Sequence, residues 1–203
     1  MKSMALSAEI PTPSFWFAFD CKDIDHAAEH IRQYSMIVKP FNEGNRVDIS
    51  TESKVSTYEE LTKNAMQTID EFGGALIEEF IEGQEFTALV FENPGDPYRP
   101  IVLNPVESLL FKGETFKHYD LKMVNWQNMA TTMLEDADLS WRLVDMANKY
   151  FVALQARGFG RLDIRGREWQ GEVFFLEINF NPSIFLDPNE MGSCDFIMKH
   201  DKA

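Results

Sequence analysis

The chain has few cysteines, few positive charges and no long apolar run, and each scarcity removes a class of protein. Two cysteines in 203 residues, Cys21 and Cys194, cannot build a disulfide framework. The apolar runs fall far short of the ~18 residues that a membrane span needs. Lys and Arg number 19 against 33 Asp and Glu, for a net charge of −14. Bulk attraction to nucleic acid or to an anionic membrane rests on dense Lys and Arg, so neither partner is expected. An anionic ligand would need a local positive device. The start, Met1 to Ala8, carries too short an apolar stretch for a signal peptide; it reads as mature sequence, with the cytoplasm as the expected compartment. No repeat, low-complexity tract or charged tail is visible.

What is present, 44 % apolar and 13 % aromatic residues, is ample for a packed core. The length predicts between one and two domains. Ile10 to Pro13 is a stiff, extended entry, and the aromatic stretch from Ser14 to Phe19 reads as a strand. Ile24, Ala27, Ala28, Ile31 and Tyr34 fall at helical spacing over 23–34, and Met36 to Val38 reads as a short buried strand. Ser56 with Glu59 forms a capping-box signature for a helix that Gly73 and Gly74 stop. Strands over 75–81 and 85–91 flank Glu82-Gly83-Gln84, and a third strand covers 100–103. A poorly patterned stretch then leads to a helix over 140–156, ended by Gly158, and to strands over 159–165 and 173–179 joined through Trp169, Gln170 and Gly171. With two hairpins, this order predicts an α+β fold of antiparallel strands rather than a doubly wound parallel sheet.

The last hairpin brings chemistry together. In an antiparallel pair, opposed residues have a constant index sum, so a turn centred on Gln170 sets Asp163 against Glu177 and Arg161 against Asn179. All four share one face, while Leu162, Ile164, Leu176 and Ile178 take the other and supply the core. Two opposed carboxylates repel unless a cation or a proton sits between them. With the Asn179 amide they form an all-oxygen set of the kind Mg²⁺ accepts, although a merely solvated sheet face is an equal reading of these two strands. Lys39, at a strand end beside a turn-rich loop, can meet a phosphate, and is otherwise a surface Lys. The linker after Glu78 and Glu79 offers backbone groups to a flat base, with Glu85 near enough for ribose hydroxyls, or else this is an acidic sheet edge.

Val38 to Pro40, Asn42 to Gly44, Ile77 to Ile81, Gly83 to Thr87, Tyr119 to Lys122, Gly160 to Asp163 and Glu177 to Asn179 stand in a familiar order and spacing. Over nearly its whole length the chain resembles the ATP-grasp fold, specifically the D-alanine:D-alanine ligase-like branch. Residues 192–195 look like the tail of a ligase-like subgroup. The resemblance implies two subdomains of antiparallel sheet and helices with the nucleotide cleft between them. Residues from about 14 to 91 would form a small nucleotide-binding subdomain, and those from about 92 to 203 a large metal-binding one. It further implies an ATP-dependent carboxylate–amine ligase of the dipeptide type, working through an acyl phosphate on small amino-acid-like substrates. Lys39 and Lys122 would contact the ATP phosphates. Glu78, Glu79, Phe80 and Ile81 would line the adenine, the last three largely through main chain, and Glu85 would hold the ribose. Asp163, Glu177 and Asn179 would hold two Mg²⁺ ions, with Mn²⁺ as a substitute. Arg161 would stabilise the acyl phosphate, and the N–H of Ser183 would serve the oxyanion.

The chain departs from the family's pattern in the phosphate-covering loop, where Asn45, Arg46 and Asp48 replace small hydroxyl residues and glycine. The family also carries an N-terminal α/β domain ahead of this region, which makes a missing N-terminal domain or a homodimer the implied partner. The alternative reading is a catalytically impaired ATP- and Mg²⁺-binding module or fragment, and a third is an acidic domain that binds no nucleotide. His26 and His30, spaced as in the HxxEH zinc pattern, are one helical turn apart but have no third ligand at a recognisable spacing. Neither cysteine has a His partner for nucleophilic catalysis, and the 17 Phe read as packing rather than as a base-stacking platform.

Overall fold

The computed structural model describes residues 1–31, 35–41, 49–111, 113–167, 171–187 and 191–201. Two units emerge, each discontinuous in sequence. The smaller comprises Pro13–Ile81 and Phe116–Trp126; the larger comprises Met1–Thr12, Glu82–Thr115 and Gln127–Ala203. No helix among the described residues is long and apolar enough to cross a membrane.

A short helix α1 (Lys2–Ser7) opens the chain in the larger unit. The smaller unit then holds β1 (Phe15–Ala18), α2 (Cys21–Ile31), β2 (Met36–Pro40), β3 (Lys54–Val55), α3 (Tyr58–Phe72) and β4 (Ala75–Glu79). Its sheet is antiparallel in the order β1-β4-β2-β3. Alternation along the strands sends Met36, Val38, Ala75 and Ile77 to one face, where they pack with Ile24, Ala27, Leu61 and Ala65 of the two helices. The α2 helix starts at Cys21 because the Asp20 carboxylate accepts hydrogen bonds from the Lys22 and Asp23 N–H groups. The cap of α3 lies one residue beyond the expected box. Thr57 is the N-cap and accepts from Glu60 N–H, while Glu60 Oε2 accepts from Ser56 N–H. Gly73 ends the helix at φ 79°, a left-handed conformation that glycine adopts without strain.

The chain continues in the larger unit with β5 (Glu85–Phe91), β6 (Ile101–Val102) and β7 (Val106–Leu110). A short α4 (Tyr119–Met123) belongs to the smaller unit. Then come β8 (Met129–Met133), α5 (Ala137–Ala153), β9 (Phe159–Gly166), β10 (Val173–Asn179) and α6 (Ser193–His200). The larger sheet runs β10-β9-β5-β7-β8, with β6 paired to β5, and every pairing is antiparallel. One face carries Phe86, Ala88, Val90, Leu162, Ile164, Phe175 and Ile178 onto α1 and α5. The other is covered at one end by α6, where Leu89 and Val106 meet Cys194 and Ile197.

Several expectations change here. The strands read in succession around residues 82–84 lie in different sheets, β4 in one and β5 in the other, and a boundary between the units falls after Ile81. The cause is pairing, because β5 runs its whole length along β9. The α5 helix starts at Ala137, since the Asp136 carboxylate caps Asp138 and Leu139, and it stops well before Gly158. Helices α1, α4 and α6 and strands β3, β7 and β8 were not anticipated. The register of Asp163 against Glu177 and of Arg161 against Asn179 is as expected. Between Phe175 and Glu177, however, a bulge shifts the register, so that Phe175 and not Leu176 enters the core.

This swap predicts unequal costs. Phe175→Ala should lower stability by about 3–5 kcal/mol, whereas Leu176→Ala should cost about 1 kcal/mol, both measured by chemical denaturation. A Leu176 variant as damaging as the Phe175 variant would contradict the bulge.

Candidate functional site

In the smaller unit the face opposite the helices carries the charged groups. Lys39 follows Ile37 along β2 by two residues, and Ile37 pairs with Glu78 and with Lys54, so all four project from that face. Lys39 Nζ lies 2.5 Å from Glu78 Oε2, and the Glu78 side chain is only 3 % exposed. A carboxylate this deep needs such a partner, because unpaired burial of charge costs several kcal/mol. Lys54 Nζ sits 4.0 Å from the centre of the Phe80 ring. The Glu79 and Phe80 N–H groups donate to the Ser14 and Ser35 carbonyls at 2.8 Å. Among the main-chain donors expected to meet a base, those two are therefore engaged. The buried Ile81 N–H finds no acceptor among the described residues.

In the larger unit, β5, β9 and β10 bring their charged residues onto one sheet face. Along β9, Arg161, Asp163 and Arg165 alternate in sign. Opposite them stand Asn179 and Glu177 on β10, and Thr87 and Glu85 on β5. Arg161 grips Asp163 with both arms: Nε donates to Oδ1 at 3.0 Å and Nη2 to Oδ2 at 2.7 Å. The Asp163 charge, ahead of other causes, raises the Arg161 pKa and fixes its charge. Glu177 forms no ion pair among the described residues. Asn179 Oδ1 accepts from Asn181 N–H at 2.8 Å, which shapes the turn after β10. Arg165, only 3 % exposed, donates to Glu85 Oε1 at 3.1 Å and to the Gly83 and Thr115 carbonyls at 2.9 and 2.8 Å.

The two carboxylates opposed in register, with the amide beside them, fit a hard divalent cation. Two guanidinium charges against three carboxylates leave this face at a net −1 before any ligand arrives. Among the described residues no group of three His, Cys, Asp or Glu gathers closely enough to hold a metal; the set here has two carboxylates and one amide. The pair His26 and His30 likewise gains no third ligand among the described residues. His30 packs instead on Trp16, with ring centres 4.6 Å apart.

Thus the structure groups Lys39 with Glu78, and Arg161 with Asp163, Glu177 and Asn179. Ser183 lies exposed in the loop after β10. Lys122 falls within α4, but its side chain lies outside the described residues, as do Asn45, Arg46, Asp48 and the hairpin turn residues Trp169 and Gln170. Lys54, Thr87 and Arg165 had not been singled out. Their signal lay in strand parity with Ile37 and Asp163, legible only once the pairings were known.

The loop after β10 is tied down by Asp195, whose Oδ1 accepts from Phe185 and Leu186 N–H at 2.6 and 3.3 Å and whose Oδ2 accepts from Gly192 N–H at 3.2 Å. Next to it, burial pushes the Cys194 thiol up to about 11, while Cys21 is exposed. A thiol reagent at pH 8 should therefore label one cysteine per native chain and the second only on denaturation. Rapid labelling of both would contradict the packing of α6.

Comparison with known proteins bears on the family and the fold. The family model described as the D-ala D-ala ligase C-terminus matches residues 7–186. The D-alanine–D-alanine ligase of Aquifex aeolicus is 28 % identical over 184 residues, covering 90 % of this chain and 57 % of that protein. Among solved structures, D-alanyl-alanine synthetase A from Vibrio cholerae superposes with a TM-score of 0.74 at 17 % identity, covering all of this chain and 59 % of the other. The D-alanine–D-alanine ligase of Bacillus anthracis, in complex with ATP, gives a TM-score of 0.65 at 18 % identity, covering 88 % of this chain and 52 % of that one. The chain thus spans little more than half the length of these proteins, and the structural likenesses show the ATP-grasp fold. With most of its length matched by the family model, the chain belongs to the D-ala D-ala ligase C-terminal family.

Proposed function

We propose that this chain binds ATP and activates a carboxylate for attack by an amine, as a carbon–nitrogen ligase. The observation that carries the proposal is the constellation of Arg161, Asp163, Glu177 and Asn179, set in register on one sheet face. A chain of net charge −14 holds a triphosphate only through local cations, of which Lys39 and Arg161 are the ones this reading uses.

Each role is the one the family resemblance implies for that position, and each side chain is chemically suited to it. Lys39, with Lys122, supplies point charges to the phosphates. The segment Glu78 to Ile81 receives the adenine, Ile81 through the N–H that has no acceptor among the described residues and Glu79 and Phe80 through what their engaged N–H groups leave. Glu85 accepts hydrogen bonds from ribose hydroxyls, a task suited to a carboxylate. Asp163, Glu177 and Asn179 would hold two Mg²⁺ ions, or Mn²⁺, which when bound neutralise charge on the transferred phosphoryl group. A substrate carboxylate oxygen attacks the γ-phosphorus and ADP departs, leaving an acyl phosphate. An amine then attacks the acyl carbon, phosphate leaves, and the nitrogen loses a proton. Arg161 stabilises the oxygen charge that develops in both steps, and the Ser183 N–H adds a donor to the second. The substrates are small amino acids or molecules shaped like them.

The test is phosphate release from ATP and Mg²⁺ with a panel of amino acids. Release that requires both a carboxylate and an amine is the expected result. Tight ATP binding without turnover would replace the ligase with a binding module. Asp163→Asn and Glu177→Gln should each lower release by about 100-fold or more with the circular dichroism unchanged. If either matches wild type, the metal assignment is wrong.

A further inference from the structure

Arg165 has no part in the chemistry proposed above, yet it is buried and its two terminal nitrogens make three hydrogen bonds to a carboxylate and two carbonyls, while Nε meets no hydrogen-bond partner among the described residues. It stands directly opposite Glu85 in the β5–β9 ladder, on the same face as Asp163. One arm donates to Glu85 Oε1, and the other reaches the carbonyls of Gly83 and Thr115. Gly83 precedes Glu85 by two residues in the linker entering β5, at φ 141°, and Thr115 is the last residue of its segment in the larger unit. A planar, five-donor guanidinium can bond a carboxylate and two carbonyls at once, whereas an ammonium offers no such fork. The two carbonyl bonds anchor the guanidinium and the backbone just before Glu85, and the third bond ties Glu85 Oε1 to that anchor.

We infer that Arg165 is a positioning residue for sugar recognition: by fixing Glu85 it makes the site select nucleotides with ribose hydroxyls over sugars that lack them. The inference rests on the reading that Glu85 holds the ribose, and it goes further in giving Arg165 control of that selectivity. Hydrogen bonds gain most when the acceptor is already oriented, because no rotamer freedom is lost on binding. Without the Arg165 fork, Glu85 would be held less firmly and would compete less well for the hydroxyl donors. The adenine and phosphate contacts would be largely unaffected, so the loss would appear in the discrimination rather than in all binding.

The test is the ratio of dissociation constants for 2′,3′-dideoxy-ATP and ATP, measured with Mg²⁺ by equilibrium titration of the full chain. Wild type should favour ATP by roughly tenfold to a hundredfold, the scale of hydrogen bonds to a charged group. Glu85→Gln should bring the ratio close to one. Arg165→Met should reduce it at least about threefold while dideoxy-ATP binding changes little, and Arg165→Lys, which keeps the charge but lacks the fork, should also reduce it. If Arg165→Met does not fold, Arg165→Lys decides by the same ratio. A ratio that stays at the wild-type value in the Arg165 variants, with Glu85→Gln having lost it, overturns the inference and leaves the ribose reading intact. Equal binding of both nucleotides by wild type, or no ATP binding, overturns the ribose reading itself.

Discussion

The strand register that opposes Asp163 to Glu177 is the constraint on which the rest depends. Two carboxylates at ~5 Å repel by about 1 kcal/mol in water and by about 3 kcal/mol at an effective dielectric of about 20. Arg161 removes much of this by gripping Asp163 with two hydrogen bonds. The opposed pair alone therefore does not demand a foreign cation. Glu177 is what keeps the demand alive, because it has no ion-pair partner among the described residues and its neighbours leave the face one negative charge in excess. Asp163 is thus compensated within the chain by a hydrogen-bonded pair, whereas Glu177, among the described residues, meets Arg161 only through its charge.

Packing is what holds that register. Ile164, Leu162 and Ile178 anchor the reverse face of the same strands in the core, so a slip by one residue would turn apolar side chains outward and the charged set inward. The bulge beyond Phe175 adds a further lock, since it places an aromatic ring against Tyr150, with ring centres 4.0 Å apart. At the far end, the buried Asp195 carboxylate uses three backbone N–H groups to fix the loop that follows Asn179. Chemistry on one face and core on the other are two products of a single alternation along β9 and β10.

Local patterns were legible where physics is local. The α3 helix and its Gly73 stop follow from periodicity and a turn residue, whereas the opposition of Asp163 to Glu177 is reached only through the bulge, because beside the turn Val173 pairs with Gly166, one residue off the expected register. What escaped was set at long range. Glu85 and Ala75 both begin strands, yet only the partner chosen by each, β9 for one and β2 for the other, assigns them to separate sheets. The short helices α1 and α4 carry too few residues for a period to show, and the bulge at Leu176 has no sequence mark. Arg165 is illegible in the sequence for the same reason: its partners lie 80, 82 and 50 residues away, and nothing adjacent to it reveals them.

The central claim is that Asp163, Glu177 and Asn179 share a divalent cation, and direct cation binding tests it without reference to turnover. Mn²⁺ can be titrated into the chain in the presence of an unreactive ATP analogue, with bound ion followed by its paramagnetic resonance signal. Saturable binding that Glu177→Gln and Asn179→Ala each weaken by at least about tenfold is the predicted result. Binding that is absent in wild type, or unchanged in both variants, would contradict the account.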